Sequence, residues 1–170
     1  QDLCSTIGEM KMALEEKGHR VYTAVHEQTN IYDRSNIDFV IDHEIRNYYS
    51  SLAFKVRYRL FKENASTYIR NKLLSGALKK NDIFILYHPP LYDDFSDLRL
   101  IKEAGKKLVC LVFGDDVRWY HAMKQWHAKK HIPPMEYEEG YSEGQTIDKW
   151  VGYLRHVEKY ADVVVMHHDT

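Results

Sequence analysis

The 170-residue sequence predicts an α/β fold, a Rossmann-like three-layer αβα domain with a mostly parallel sheet. Short apolar runs alternate with segments of helical periodicity along the chain, which favours parallel strands joined by right-handed crossovers. Several of these runs are almost continuously apolar, as in strands covered on both faces. An apolar fraction of 44% beside 29% charged residues supplies a core and excludes a disordered chain.

The first half opens with a helix in which Ile7, Met10 and Leu14 recur at helical spacing. Gly18 is expected to end this helix in the left-handed conformation. The β-branched and aromatic residues that follow predict a strand over 20–25 and a shorter one over 37–41. Residues 48–78 then look helical throughout, as one helix or as two separated near Asn64.

The second half repeats strand and helix. Apolar runs predict three strands, over 82–87, 108–113 and 161–166. A helix capped by Asp94 or Ser96 and closed by Gly105 lies between the first two. An aromatic-rich helical stretch over 117–130, a turn-rich segment over 131–144 and a helix from Thr146 to Tyr160 lie between the second and the third.

Length, charge and cysteine content limit the classes of protein to which this chain can belong. The length suits one domain over residues 1–170, and a formal net charge of -1 argues against general attraction to nucleic acid. Two cysteines do not make a disulfide framework, and Cys110 falls in a buried run. Without an apolar stretch long enough for a membrane span, or the start of a signal peptide, the sequence is interpreted as cytoplasmic.

Ligands of open parallel sheets bind outside the carboxyl ends of the strands, so the residues after each run are the candidate site. Four of the five predicted ends carry histidine; these ends are His26, His43, His88 and His167. Imidazoles exchange protons near neutral pH, which suits a cleft. Polar residues are also common in loops for no functional reason.

The densest candidate follows the strand over 108–113, where residues 114–118 read GDDVR. Gly114 allows a sharp turn or the close approach of a ligand. Asp115 and Asp116 either cap the next helix or supply a carboxylate that accepts hydrogen bonds from sugar hydroxyls or coordinates a metal, while Arg118 faces an anionic group. We expect no metal at His167, because adjacent residues of an extended segment point apart, and no cofactor-binding motif is present.

A basic segment covers residues 55–80, where eight basic residues accompany Glu63 alone. Its other face is apolar, so it predicts an amphipathic helix that rests on an anionic membrane surface, holds an anionic acceptor or is simply solvated. A second group consists of aromatic residues, which are expected either to line a cleft or to fill the core: Trp119, Tyr120, Trp126, Tyr137 and Tyr141.

Three segments together resemble the N-terminal domain of GT-B glycosyltransferases of the large retaining family that uses nucleotide-diphosphate sugars. They are residues 14–21, 82–88 and 108–118. In that family the first helix ends in a GH-x-V turn, matched by GHRV at 18–21. A later strand ends in F-x-G-S-D-[VI]-R, matched by FGDDVR at 113–118 except for the serine.

The resemblance implies that this domain binds a sugar, glycan or lipid-linked acceptor. A C-terminal domain, outside these 170 residues, would hold the nucleotide-sugar co-substrate, and catalysis would occur in the cleft between the two. Gly114, Asp116 and Arg118 match the motif, with Asp116 as the catalytic candidate and Asp115, His88 and His167 beside it. The isolated domain is expected to be inactive.

Two departures leave alternatives open. Phe113 stands near the position where many members of the family carry a catalytic histidine, and the family's first strand with its glycine-rich loop is not visible. The missing histidine, together with the lack of a donor domain within these 170 residues, favours a stand-alone binding or regulatory domain that has lost catalysis. A third interpretation is a metal-dependent GT-A transferase in which Asp115 and Asp116 hold the metal.

Overall fold

The computed structural model describes residues 3–26, 37–62, 64–87, 90–112, 128–130 and 143–166; of 3–6 and 143–150 it describes the backbone alone. The helices are α1 (Leu3–Glu16), α2 (Ile41–Ser50), α3 (Leu52–Phe61), α4 (Ala65–Lys80), α5 (Ser96–Glu103) and α6 (Glu143–Tyr160). The strands are β1 (Ala24–Val25), β2 (Phe39–Val40), β3 (Ile83–Tyr87), β4 (Lys107–Val112) and β5 (Val163–Met166). All described strand pairs are parallel, which confirms an α/β chain with short parallel sheets.

The chain forms two compact units, Gln1–Ser75 and Gly76–Thr170, and their boundary falls within α4. The expectation of one domain stays a prediction. Within the described residues, no helix is long and apolar enough to cross a membrane.

In the first unit, α1 ends as its glycine predicts. Gly18 has φ +84°, and the amides of Gly18 and His19 donate to the carbonyls of Glu15 and Leu14. The strand expected over 20–25 is reduced to Ala24–Val25. The Thr23 amide donates to the Asp38 carboxylate at 2.8 Å rather than to a backbone carbonyl, so the ladder with β2 begins one residue later.

Aromatic rings join α2, α3 and α4. Tyr48 of α2 stacks on Tyr68 of α4 with ring centroids 4.6 Å apart, and the ring of Phe54 lies edge-on to Tyr48 at 5.7 Å. The predicted break near Asn64 is confirmed, but the helical segment begins at Ile41 and has a second break. Ser51 causes that break because its hydroxyl accepts from the Phe54 amide and so caps α3.

The second unit contains a three-stranded sheet in the order β3-β4-β5. Residues of β4 that alternate along the strand are fully covered, and Leu108, Cys110 and Val112 all have 0% exposure. Helices α5 and α6 contribute further buried residues to this unit's core: Leu98, Ile101, Tyr153 and Val157. A strand covered on at least one face therefore lies at the centre of the sheet.

Two expectations for this unit are wrong. The apolar run of β5 predicted a strand covered on both faces, whereas all four of its side chains are 41–60% exposed, because β5 is an edge strand in the described sheet. Thr146 was expected to cap the last helix but lies inside α6, which begins at Glu143.

Candidate functional site

The carboxyl ends of the three strands in the second unit lie at one edge of the sheet. Because the strands are parallel and in register, Tyr87 pairs with Leu111 and Val112 pairs with Met166. The predicted site residues follow these ends in the sequence: His88, Gly114, Asp115, Asp116, Arg118 and His167. All six lie outside the described residues, as do the aromatic residues between 119 and 141. The described part brings together the strand ends that precede them.

The first unit differs from expectation at the end of β2. His43 was placed in a loop after the strand, but it lies in the first turn of α2, which starts directly after Val40. His26 follows β1, and its carbonyl accepts from the Asp42 amide at 3.0 Å. The helix leaves β2 without a loop, so this strand end has no room for a flexible catalytic segment.

The loop that leads from β3 to α5 is anchored by a buried carboxylate. Asp97, in the first turn of α5, is only 1% exposed, and its Oδ2 accepts from the Leu91 amide at 2.7 Å. Its Oδ1 has no hydrogen-bond partner among the described residues. Burial of the ionised form outweighs the hydrogen bonds and raises the pKa of Asp97 to about 6.

The same loop contains a strained residue. Phe95 has φ 60°, a left-handed conformation that costs a side chain of this kind about 1–3 kcal/mol. Packing compensates, because its ring lies 5.7 Å from that of Tyr153 and 5.3 Å from that of His156. The ring also lies against Gly152, where a Cβ would stand 3.4 Å from Cε2 of Phe95, in van der Waals contact. Asp94 completes the turn by accepting from the Ser96 amide and hydroxyl.

Asp97 was not among the predicted residues, and its chemistry has two interpretations. A carboxyl group with a pKa near 6 can exchange protons at neutral pH, as catalytic acids and bases do. In the second interpretation the carboxylate has a structural role alone and holds the β3 to α5 loop by accepting from the Leu91 amide. The sequence signal was an acid within one turn of two buried residues, Leu98 and Ile101, which places a carboxylate on the covered face of α5.

The thiol beside this carboxylate is not an activated nucleophile. Cys110 is fully buried in β4, and burial together with the charge of Asp97 raises the pKa of the thiol to about 12. A thiol with so high a pKa carries almost no thiolate at neutral pH. The expected buried cysteine is confirmed, and its role is packing.

Aspartates also begin several strands at the opposite, amino ends. Asp38 accepts from the Thr23 amide and hydroxyl and from Nζ of Lys11, all at 2.8–3.0 Å. Asp162 accepts from the Leu108 amide and from Nζ of Lys102, both at 2.7 Å. These carboxylates join neighbouring strands at their starts, so their role is structural.

The pKa values at these amino ends agree with that role. Burial raises the pKa of Asp38, but hydrogen bonds from Lys11 and Thr23 outweigh it and hold the pKa below its ordinary value. Hydrogen bonds from Lys102 and Leu108 lower the pKa of Asp162 to about 2. No three His, Cys, Asp or Glu side chains within the described ranges lie close enough together to hold a metal ion.

Comparison of the chain with protein-family models, with curated proteins and with solved structures found no match. The function is therefore argued from the arrangement of the strands and from the residues that follow them.

Proposed function

We propose that this chain is the acceptor-side, Rossmann-like domain of a cytoplasmic GT-B glycosyltransferase, which transfers a sugar from a nucleotide-diphosphate donor. The observation that carries the proposal is the position of β4. It is the central strand of the described sheet, and its carboxyl end leads directly into residues 113–118, FGDDVR. Ligands of open α/β sheets bind outside the carboxyl ends of the strands.

The residues after β4 have distinct roles in this proposal. Gly114 admits a ligand close to the backbone. Asp116, with Asp115 beside it, accepts hydrogen bonds from acceptor hydroxyls, and Arg118 neutralises a phosphate or carboxylate of the acceptor or donor. His88 and His167 come from the strands on either side, because β3 and β5 flank β4, and they bind the acceptor from both sides.

The test uses the natural gene product at its full length, purified from its source cell. It is incubated with a panel of radiolabelled nucleotide-diphosphate sugars, and release or transfer of the sugar is measured. We expect activity with at least one donor, and a loss of at least about 100-fold in Asp116→Asn and in Arg118→Ala, as for a lost transition-state contact. Asp93→Asn, at an exposed position, is the matched control.

The absence of sugar release and transfer with every donor would contradict the proposal. One sequence feature favours a different function, a binding or regulatory domain without catalysis, because Phe113 stands in the neighbourhood of the family's histidine. A gene product no longer than these 170 residues would support that second function. Manganese-dependent binding of a nucleotide sugar by this chain alone would support a GT-A transferase instead.

A further inference from the structure

Helix α3 has two faces of different character. Its inner face is held by aromatic packing: Phe54 contacts the rings of Tyr48 and Tyr49, and the guanidinium of Arg57 lies 4.4 Å from the ring centroid of Tyr68. No residue of α3 is buried. The helix is therefore attached to its neighbours by one side only.

The outer face of α3 carries an apolar stripe. Leu52, Val56 and Leu60 are spaced four residues apart, which places them on one side of the helix. They are 77%, 50% and 67% exposed. Exposed leucines at this density are unusual for a helix whose surroundings are water alone, because each leaves apolar surface hydrated.

Basic residues run alongside this stripe. Lys55 and Arg59, also four residues apart and exposed, follow Leu52 and Val56 by three residues each and are therefore their neighbours on the helix surface. Helix α3 contains no acidic residue. The wider segment over 55–80 has eight basic residues and only Glu63 to oppose them, although the whole chain has a net charge of -1. Four of the eight lie in α3 or directly after it: Lys55, Arg57, Arg59 and Lys62.

We propose that the outer face of α3, meaning Leu52, Lys55, Val56, Arg59 and Leu60, docks on the surface of an anionic lipid bilayer. The three apolar side chains enter the boundary between headgroups and acyl chains, and the two basic side chains remain at the level of the phosphates. Anionic lipid satisfies both chemistries at once. This inference does not rest on the proposed transferase activity.

Other occupants fit the two chemistries less well. A nucleic acid would match the charge but leave the leucines exposed to water, since its backbone contacts are polar. A second copy of the chain would bring the same positive charges face to face, which is unfavourable. Charge complementarity together with the apolar stripe therefore favours lipid.

The test is sedimentation of the 170-residue chain with vesicles of phosphatidylcholine alone and of phosphatidylcholine mixed with phosphatidylserine. We expect binding to the mixed vesicles that weakens with added salt. Lys55→Gln with Arg59→Gln is expected to weaken it about 30-fold, a factor of about 5.4 for each charge. Leu52→Gln with Leu60→Gln should weaken it at least about tenfold, because the stripe no longer inserts.

Two matched variants test whether binding depends on this face rather than on positive charge or exposed apolar side chains elsewhere in the chain. Lys79→Gln with Lys80→Gln removes the same charge from the exposed end of α4, and Met12→Gln with Val151→Gln removes exposed apolar side chains from two other helices. Both pairs should bind as the unchanged chain does. Circular dichroism confirms that each variant is folded.

Three results would overturn the inference. The first is no sedimentation with either kind of vesicle. The second is undiminished binding by the variant Leu52→Gln with Leu60→Gln. That result would indicate a site that recognises the negative charge of an acidic polymer and needs no apolar contact. The third is self-association of the chain, measured by sedimentation velocity, that the leucine variant abolishes, because the stripe would then be an interface between two copies.

Discussion

At the scale of single residues, Asp97 is the buried carboxyl group of the described part of the chain whose pKa is raised. Its oxygen Oδ2 holds the Leu91 amide, and its other oxygen is buried without a partner among the described residues. Burying an ionised carboxylate is costly unless both oxygens are satisfied. Asp97 therefore holds the loop by accepting from backbone amides, that of Leu91 among them, but destabilises the fold when it is charged.

The sign of the resulting pH dependence follows from the raised pKa. Folding raises the pKa of Asp97 from 3.8 to about 6, so its contribution to stability is fully present below about pH 4 and is lost as the pH rises through 6. Between about pH 4 and 7 the loss approaches 3 kcal/mol in the free energy of unfolding, from about two pKa units at 1.36 kcal/mol each. Urea unfolding at several pH values between about 4 and 7 measures this loss.

Asp97→Asn is the variant that isolates this effect. An amide cannot ionise, so we expect the free energy of unfolding to vary less between about pH 4 and 7 than it does in the unchanged chain. Asp93→Asn, at an exposed position in the same loop, should leave the pH dependence as it is. Parallel pH profiles for the unchanged chain and Asp97→Asn would show that the carboxyl titrates normally.

At the scale of elements, β5 is held on β4 by more than its ladder. Asp162 precedes β5, and its carboxylate accepts from the Leu108 amide and from Lys102 of α5. These bonds lower its pKa to about 2, so this contribution to stability is present above about pH 4 and is lost as the pH falls toward 2.

Asp162→Ala removes the acceptor of the Leu108 amide. We expect faster hydrogen exchange at this amide and at the β5 amides paired to β4, because local opening of the edge strand becomes easier. Amides of β1 and β2, in the other compact unit, should keep their exchange rates. Equal exchange at Leu108 in both chains would mean that the carboxylate is not its acceptor in solution.

Two glycines in helical surroundings make opposite predictions. Gly105, which ends α5, has φ +74°, so Gly105→Ala should cost about 1–2 kcal/mol in the free energy of unfolding. Gly76 lies inside α4 with nothing within 4 Å of an added Cβ, so Gly76→Ala should stabilise by roughly 0.5–1 kcal/mol. Thermal unfolding of both variants measures whether each substitution raises or lowers the free energy of unfolding. Changes in the same direction for the two variants would contradict this account.

At the scale of the molecule, the rate at which the Cys110 thiol reacts measures whether the second unit opens. The thiol is fully buried and its pKa is raised from 9.0 to about 12, which alone lowers the thiolate fraction roughly 1,000-fold. Alkylation of Cys110 by iodoacetamide, followed by mass spectrometry, should therefore be at least that much slower in the native chain than in concentrated urea. Rapid native alkylation would contradict the buried position.

The α/β class and most positions of the described elements were predictable from local patterns. Apolar runs located β3, β4 and β5 to within one or two residues, and positive-φ glycines ended α1 and α5 as expected. The failures lay where side chains override the pattern. The Asp38 carboxylate replaced a ladder bond at Thr23 and shortened β1, and the Ser51 hydroxyl interrupted a segment that looked continuously helical.

The candidate site was predictable only as a set of positions. Parallel alternation implied that the strand ends meet at one edge, and those of β3, β4 and β5 in the second unit do so. Asp97 escaped prediction because its importance comes from burial, which depends on the elements that pack around α5. The amino-end aspartates escaped for a similar reason, since each acts on an amide of a neighbouring strand.

The sequence by itself determined the α/β class, the parallel alternation and the concentration of positive charge over 55–80, because periodicity, turn residues and charge are properties of neighbours along the chain. Only the tertiary structure decided which carboxylates are buried, which apolar side chains remain exposed and which helix carries an uncovered stripe. Burial of Asp97 and exposure of Leu52 depend on contacts between residues far apart in sequence, and no local pattern specifies those contacts.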